Sequence, residues 1–226
     1  MNLDLASAGD TLWGHIGLKL PDEIHTKWYP ISAKNAGKVR RDMSLLRGGC
    51  GWIIAETLNN RLLAFNPKQM QRVWLLDDGN DAPENDFRWA TTMDDYAGIP
   101  IELYRLMAAW IDGPSAFERA GSKQEQTAAL ELIEQGGFSD RRAEFAALLR
   151  NTVIHFTAGA SASYEANHQN LVDLIFSIES EADDEIVEIS ENSNAFESYY
   201  PINMLRLVEI PLLEYEAACA NSEVER

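Results

Sequence analysis

The segment Phe65-Asn66-Pro67-Lys68-Gln69-Met70-Gln71-Arg72-Val73 matches Tyr199-Tyr200-Pro201-Ile202-Asn203-Met204-Leu205-Arg206-Leu207 in residue class at five of nine positions. An aromatic, a proline, a methionine, an arginine and an aliphatic residue recur at a constant offset of 134. In each case proline ends a strand, a short turn follows, methionine tucks beneath it and a new strand starts on an aliphatic residue. Self-similarity at a fixed spacing restricts the fold, because one folding unit must then be used twice.

The patterning around the two segments predicts matching elements. Thr11 to Leu20 and Ile24 to Ile31 read as strands, and Ser32 caps a helix to about Leu46 with Ala36, Val39, Met43 and Leu46 on its apolar face. Trp52 to Leu58 and Arg61 to Phe65 form a hairpin over Asn59-Asn60, whose residues tolerate positive φ, and Gln71 to Leu76 is the next strand. After Arg150 come strands at Thr152 to Phe156 and Ser161 to Ala166, then a helix capped by Asn167. Strands at Glu185 to Ile189, Ala195 to Tyr200 and Leu205 to Ile210 follow, before a short C-terminal tail. Helices opened by Pro100, Ser122 and Ser139 fill the middle, and the stretch from Asp77 to Asp86 is a loop.

The expected fold is therefore α+β: two similar small β-rich modules of strand–strand–helix–strands type, joined by a helical segment. Residues 1–80 form the first module, 81–150 a helical connector, and 151–226 an acidic, diverged repeat of the first. A strand–proline–strand ending is compatible with a bent Sm-like or SH3-like sheet. That is an analogy of architecture and licenses no function.

Charge separates the two modules. Residues 1–80 carry 10 Lys+Arg against 8 Asp+Glu, whereas residues 151–226 carry 2 against 15. The acidic third repels phosphate backbones and steers cationic partners. The chain has two cysteines, Cys50 and Cys219, and no CxxC, which points to a reducing, cytoplasmic setting and excludes a thiolate zinc site. The first ten residues hold two aspartates and no basic stretch, so no signal peptide is expected. Apolar runs such as Leu106 to Ile111 are too short to cross a bilayer, and no membrane partner is expected.

No catalytic or cofactor motif stands out, and the expectation is a non-enzymatic protein with no cofactor and no metal. Histidines at His15, His25, His155 and His168 form no HxH, HxxxH or HExxH pair, although His15 and His155 fall near equivalent strand positions. Acidic clusters at Asp77-Asp78, Asp94-Asp95 and Asp183-Asp184-Glu185 lack calcium-loop spacing. The leading reading is an adaptor or immunity-type inhibitor that masks a basic protein surface with Glu197, Tyr199, Tyr200 and Glu209. Tyrosines supply rigid contact area and carboxylates speed encounter. The alternative is an RNA-binding protein using Lys34, Lys38, Arg40, Arg41 and Arg47, flanked by Trp28, Tyr29 and Trp52 for stacking. A metal-dependent hydrolase built on carboxylates and histidine is the third, and a homo-oligomer is left open.

Overall fold

In a computed structural model the structure describes residues 11–46, 51–79, 87–89, 99–165, 168–180, 186–190 and 197–224. The chain is an α+β protein, as its patterning predicts. Its first third runs β1 (Leu12–Lys19), β2 (Thr26–Ser32), α1 (Ala33–Leu45), β3 (Ile53–Glu56), β4 (Arg61–Phe65), a 3-10 turn (Pro67–Gln69) and β5 (Arg72–Asp77). A short β6 (Phe87–Trp89) leads to the helices α2 (Ile101–Asp112), α3 (Pro114–Arg119), α4 (Lys123–Gln135) and α5 (Arg142–Arg150). The last third runs β7 (Thr152–Phe156), β8 (Ser161–Tyr164), α6 (His168–Glu179), β9 (Ile186–Ser190), β10 (Glu197–Pro201), a 3-10 turn (Ile202–Met204), β11 (Leu205–Pro211) and α7 (Leu212–Val224). Among the described residues no helix is long and apolar enough to cross a membrane.

Up to α7, the outer thirds share one order of elements and one pattern of pairing. β1 pairs with β2 and β5, and β7 pairs with β8 and β11, all antiparallel. β3 pairs with β4, and β9 with β10. The sheets nonetheless cross between the thirds, because β4 also pairs with β11. This produces a five-stranded sheet β3-β4-β11-β7-β8, a four-stranded sheet β5-β1-β2-β6 and a separate pair β10-β9.

Two cores meet at the β4–β11 wall. On one side Ile53, Ala55, Leu63, Phe65 and Leu207 pack with Ile16, Leu18, Tyr29 and Ile31 of the four-stranded sheet. On the other, Leu62, Ala64, Val208 and Ile210 pack with Leu171, Leu174, Ile175 and Ile178 of α6. Alternation along a strand sends successive side chains to opposite faces, so one hairpin serves both cores. Within the four-stranded sheet Gly17 lies opposite both Trp28 and Trp74. A Cβ at Gly17 would fall 2.8 Å from the Trp28 ring, so only glycine leaves room for the indole. The helices α2, α4 and α5 close a third core around Tyr104, Met107, Ile133 and Phe145.

Local signals explain most boundaries. Ser32 caps α1 by accepting from Asn35 N, and Ser122 with Glu125 forms a reciprocal capping box on α4. Asn60 turns the β3–β4 hairpin at φ 59°. Three expectations need correction. Ser139 does not cap α5, which starts at Arg142 without a side-chain cap. The C-terminal stretch is no tail but the 13-residue α7. Met204 does not tuck beneath its turn: it is 43% exposed against 8% for Met70. The turn geometry shows why. Met70 N donates to Pro67 O and Leu205 N to Ile202 O, so the structural counterpart of Met70 is Leu205. The expected cap Asn167 lies outside the described residues.

Candidate interaction face and buried charge cluster

The β9–β10 hairpin is covered on one face only. Val187 and Ile189 point into the core beside α6, and Tyr200 joins them at its edge, its ring 5.0 Å from that of Phe156. The opposite face carries Ile186 opposite Pro201, and Glu188 opposite Tyr199, with Glu197 one pair further along. Ile186 is 62% and Tyr199 58% exposed. The Tyr199 hydroxyl donates to Glu197 Oε2 at 3.0 Å; this bond and the charges of Glu188 and Glu197 raise its pKa above the ordinary phenol value. Of the four residues singled out as a partner strip, Glu197 and Tyr199 thus share an exposed face, and Tyr200 is half-buried on the other. Glu188 and Ile186 belong to the face but were not anticipated, since only the cross-strand register brings them there.

Glu209 has a different place and must be removed from that strip. It lies on β11, is 4% exposed, and points with Leu207 toward the four-stranded sheet. Its carboxylate receives His155 Nε2 at 2.8 Å and has Lys27 Nζ at 3.9 Å. Glu23 stands 3.8 Å from His155 Nδ1 and also from Lys27 Nζ. Burial by itself raises the Glu209 pKa, but the bond from His155 and the charges of Lys27, His155 and Arg61 outweigh it and hold the carboxyl at about 2. Tyr29 lies against the same group; burial first and that carboxylate second raise its pKa well above the usual range.

Arg61 completes the cluster from β4. Its guanidinium donates to the carbonyls of Leu148 and Asn151 at the end of α5, where a helix leaves acceptors unsatisfied and favours positive charge. The cluster therefore joins β2, β4, β7, β11 and α5 through one set of charges. A carboxylate held at about 2 is neither a proton donor nor an effective base near neutrality, so its chemistry is that of a tie. A second tie lies beside it: Arg206 pairs with Asp22 and donates to Thr157 O. Gly159, at φ 84°, lets the β7–β8 turn approach Asp22, where an added Cβ would come within 2.5 Å of the carboxylate.

Three of the five basic candidates, Lys38, Arg40 and Arg41, make contacts within the chain. Lys38 Nζ donates to Asp42 Oδ2 at 2.9 Å and to Ile54 O at 2.6 Å. Arg40 lies over the Trp13 ring at 4.6 Å, and Arg41 Nε is 3.7 Å from Asp42. Lys34 is exposed near the start of α1, and Arg47 lies outside the described residues. The expected stacking partners Trp28 and Tyr29 are both 0% exposed, and Trp52 is half-buried against the α6 core. Buried rings offer no face to a base.

The histidines are dispersed. His15 lies on β1, where burial lowers its pKa and Asp78 opposes the shift; His155 belongs to the charge cluster; His168 on α6 meets Glu214 Oε2 of α7 at 3.0 Å. Pairing places Lys19 opposite Arg72 and His155 opposite Leu207, the structural counterpart of Arg72, so His155 matches Lys19 and not His15. Among the described residues no group of three or more His, Cys, Asp or Glu is arranged to hold a metal ion. Asp94-Asp95, Asp183-Asp184 and Cys50 lie outside the described residues, and Glu185 with them; Cys219 lies on α7. Comparison with family models, with curated proteins and with solved structures finds no match.

Proposed function

We propose that this chain is a non-enzymatic interaction protein built from two diverged copies of one α+β unit, and that the outer face of the β9–β10 hairpin binds a basic protein surface. The observation that carries the reading is a contrast between matched hairpins. Ile54, Leu62 and Ala64 of β3–β4 lie on the face that crosses into the other core. In the equivalent ladder positions β9–β10 has Glu188, Glu197 and Tyr199, and that face is exposed. A face that one copy buries is, in the other, rewritten with carboxylates and an aromatic ring. Those residue types give fast encounter and rigid contact with a cationic partner. A cytoplasmic setting fits the two cysteines of the chain.

The test is association with candidate basic proteins across a salt series, for the wild type and for the Glu188→Lys/Glu197→Lys variant. Binding that weakens with salt and is lost in the variant supports the reading. Binding indifferent to both sinks it.

A further inference from the structure

Two strand edges end their sheets among the described residues, although the equivalent edges in the other third are joined. β11 is flanked by β7 and β4; its counterpart β5 is flanked by β1 alone. β4 is flanked by β3 and β11; its counterpart β10 is flanked by β9 alone. The difference is visible in burial. Leu205, Leu207, Val208 and Ile210 of β11 are each 0% exposed, whereas Val73, Trp74, Leu75 and Leu76 of β5 are only half-buried. Four consecutive large apolar residues on an edge strand form a template for another strand.

The register states where that strand belongs. Antiparallel partners run from Arg61 opposite Pro211 to Phe65 opposite Leu207. The run continues through Asn66 N donating to Arg206 O at 3.0 Å and the Gln69 side-chain amide donating to Asn203 O at 3.3 Å. Carried onward, the same register sets Val73 opposite Tyr199 and Leu75 opposite Glu197. Within one chain the two strands part after the Gln69–Asn203 contact. Tyr200 and Ile202 are drawn into the α6 core, while Val73 and Leu75 pack with Ile16 and Leu18.

We propose that this unmade ladder is closed by a second copy of the chain, with β10 of one copy adding to the edge of β5 of the other in that register. The β4–β11 ladder is the same kind of contact made internally, so the sequence already carries the complementarity. Charge selects unlike thirds: β5 belongs to residues 1–80, with 10 basic against 8 acidic side chains, and β10 to residues 151–226, with 2 against 15. Two such contacts related by a two-fold axis give a closed dimer.

The inference rests on the equivalence of the two thirds proposed above, but its test is separate from binding of a basic partner. Native mass spectrometry and sedimentation at roughly 100 µM, where a micromolar interface is filled, should give a dimer. In a Cys50→Ser/Cys219→Ser background, Val73→Cys/Tyr199→Cys should cross-link between copies under oxidation. Leu76→Lys, which places a charge on the β5 edge, should give a monomer with an unchanged circular dichroism spectrum. A monomeric wild type, a cross-link formed only within one chain, or a dimer that survives in well-folded Leu76→Lys overturns the proposal. Failure here with basic-partner binding intact leaves the interaction reading standing; the reverse outcome removes only that reading.

Discussion

The β3–β4 and β9–β10 hairpins occupy the same place in the same order of elements, yet one is buried on both faces and the other on one. Ile53, Leu63 and Phe65 are 0% exposed and Leu62 is 3%, whereas Ile186 and Tyr199 are 62% and 58% exposed. Neither turn chemistry nor strand propensity accounts for the contrast. β3–β4 lies between two cores because β4 pairs with β11; among the described residues β9–β10 has no such neighbour and faces outward. Matching elements therefore do not imply matching surroundings, and solvent permits on the second hairpin charges that the first excludes.

The sharpest way to break this comparison is to truncate one ring in each hairpin. Phe65→Ala removes a fully buried ring and should lower stability by about 3–5 kcal/mol in urea unfolding. Tyr200→Ala, at the half-buried counterpart, should lose clearly less; equal losses would mean that the two hairpins are embedded alike. Next comes the acid limb of the stability profile. The folded Glu209 carboxyl, at about 2, lies below its ordinary value of 4.5, so its contribution is complete above pH 4.5 and lost as pH falls toward 2. The loss attributable to it is on the order of 3 kcal/mol. A Glu209→Gln variant should be less stable at neutral pH and flatter over that window, and a slope unchanged from wild type would remove the charge cluster from the β4–β11 wall.

A smaller effect is expected at the β3–β4 turn. Asn60 sits at φ 59°, where glycine is at ease, but its Oδ1 also accepts from Leu213 N in the first turn of α7. Asn60→Gly should therefore destabilise, by roughly 1 kcal/mol for the lost hydrogen bond, despite the favourable backbone. A gain in stability would show the α7 contact to be negligible. The smallest effect belongs to the outer face: Glu188→Lys/Glu197→Lys should leave the unfolding midpoint where it is while changing partner binding. A large shift in the midpoint would mean that this face is packed.

Much of the chain was readable because its signals are local. Ser32, the Ser122–Glu125 pair and Asn60 each act on atoms within a few residues, and each produced the predicted element. α7 escaped notice although Pro211 just before it and Glu214 in its first turn are fair opening signals, because its apolar residues follow no clear stripe. β6 is three residues long and forms by parallel pairing with β2, which leaves no periodic trace. Of the candidate site, Glu197 and Tyr199 were legible from alternation, while Glu188 entered through register alone. Glu209 reads like any acidic residue of an alternating strand. Its burial depends on His155, Lys27 and Arg61, drawn from three other strands.

By itself the sequence determined the α+β composition, the strand–strand–helix–strand order of both thirds and the concentration of negative charge in the last. These follow from hydrophobic periodicity, from caps and turns acting over a few bonds, and from counting side chains. Only the tertiary structure decided that β4 joins β11, that one hairpin is enclosed while its counterpart is bare, and that Glu209 is a buried tie. Such outcomes depend on which distant strands meet, and a pairing between residues more than a hundred positions apart is set by how the two cores close around it.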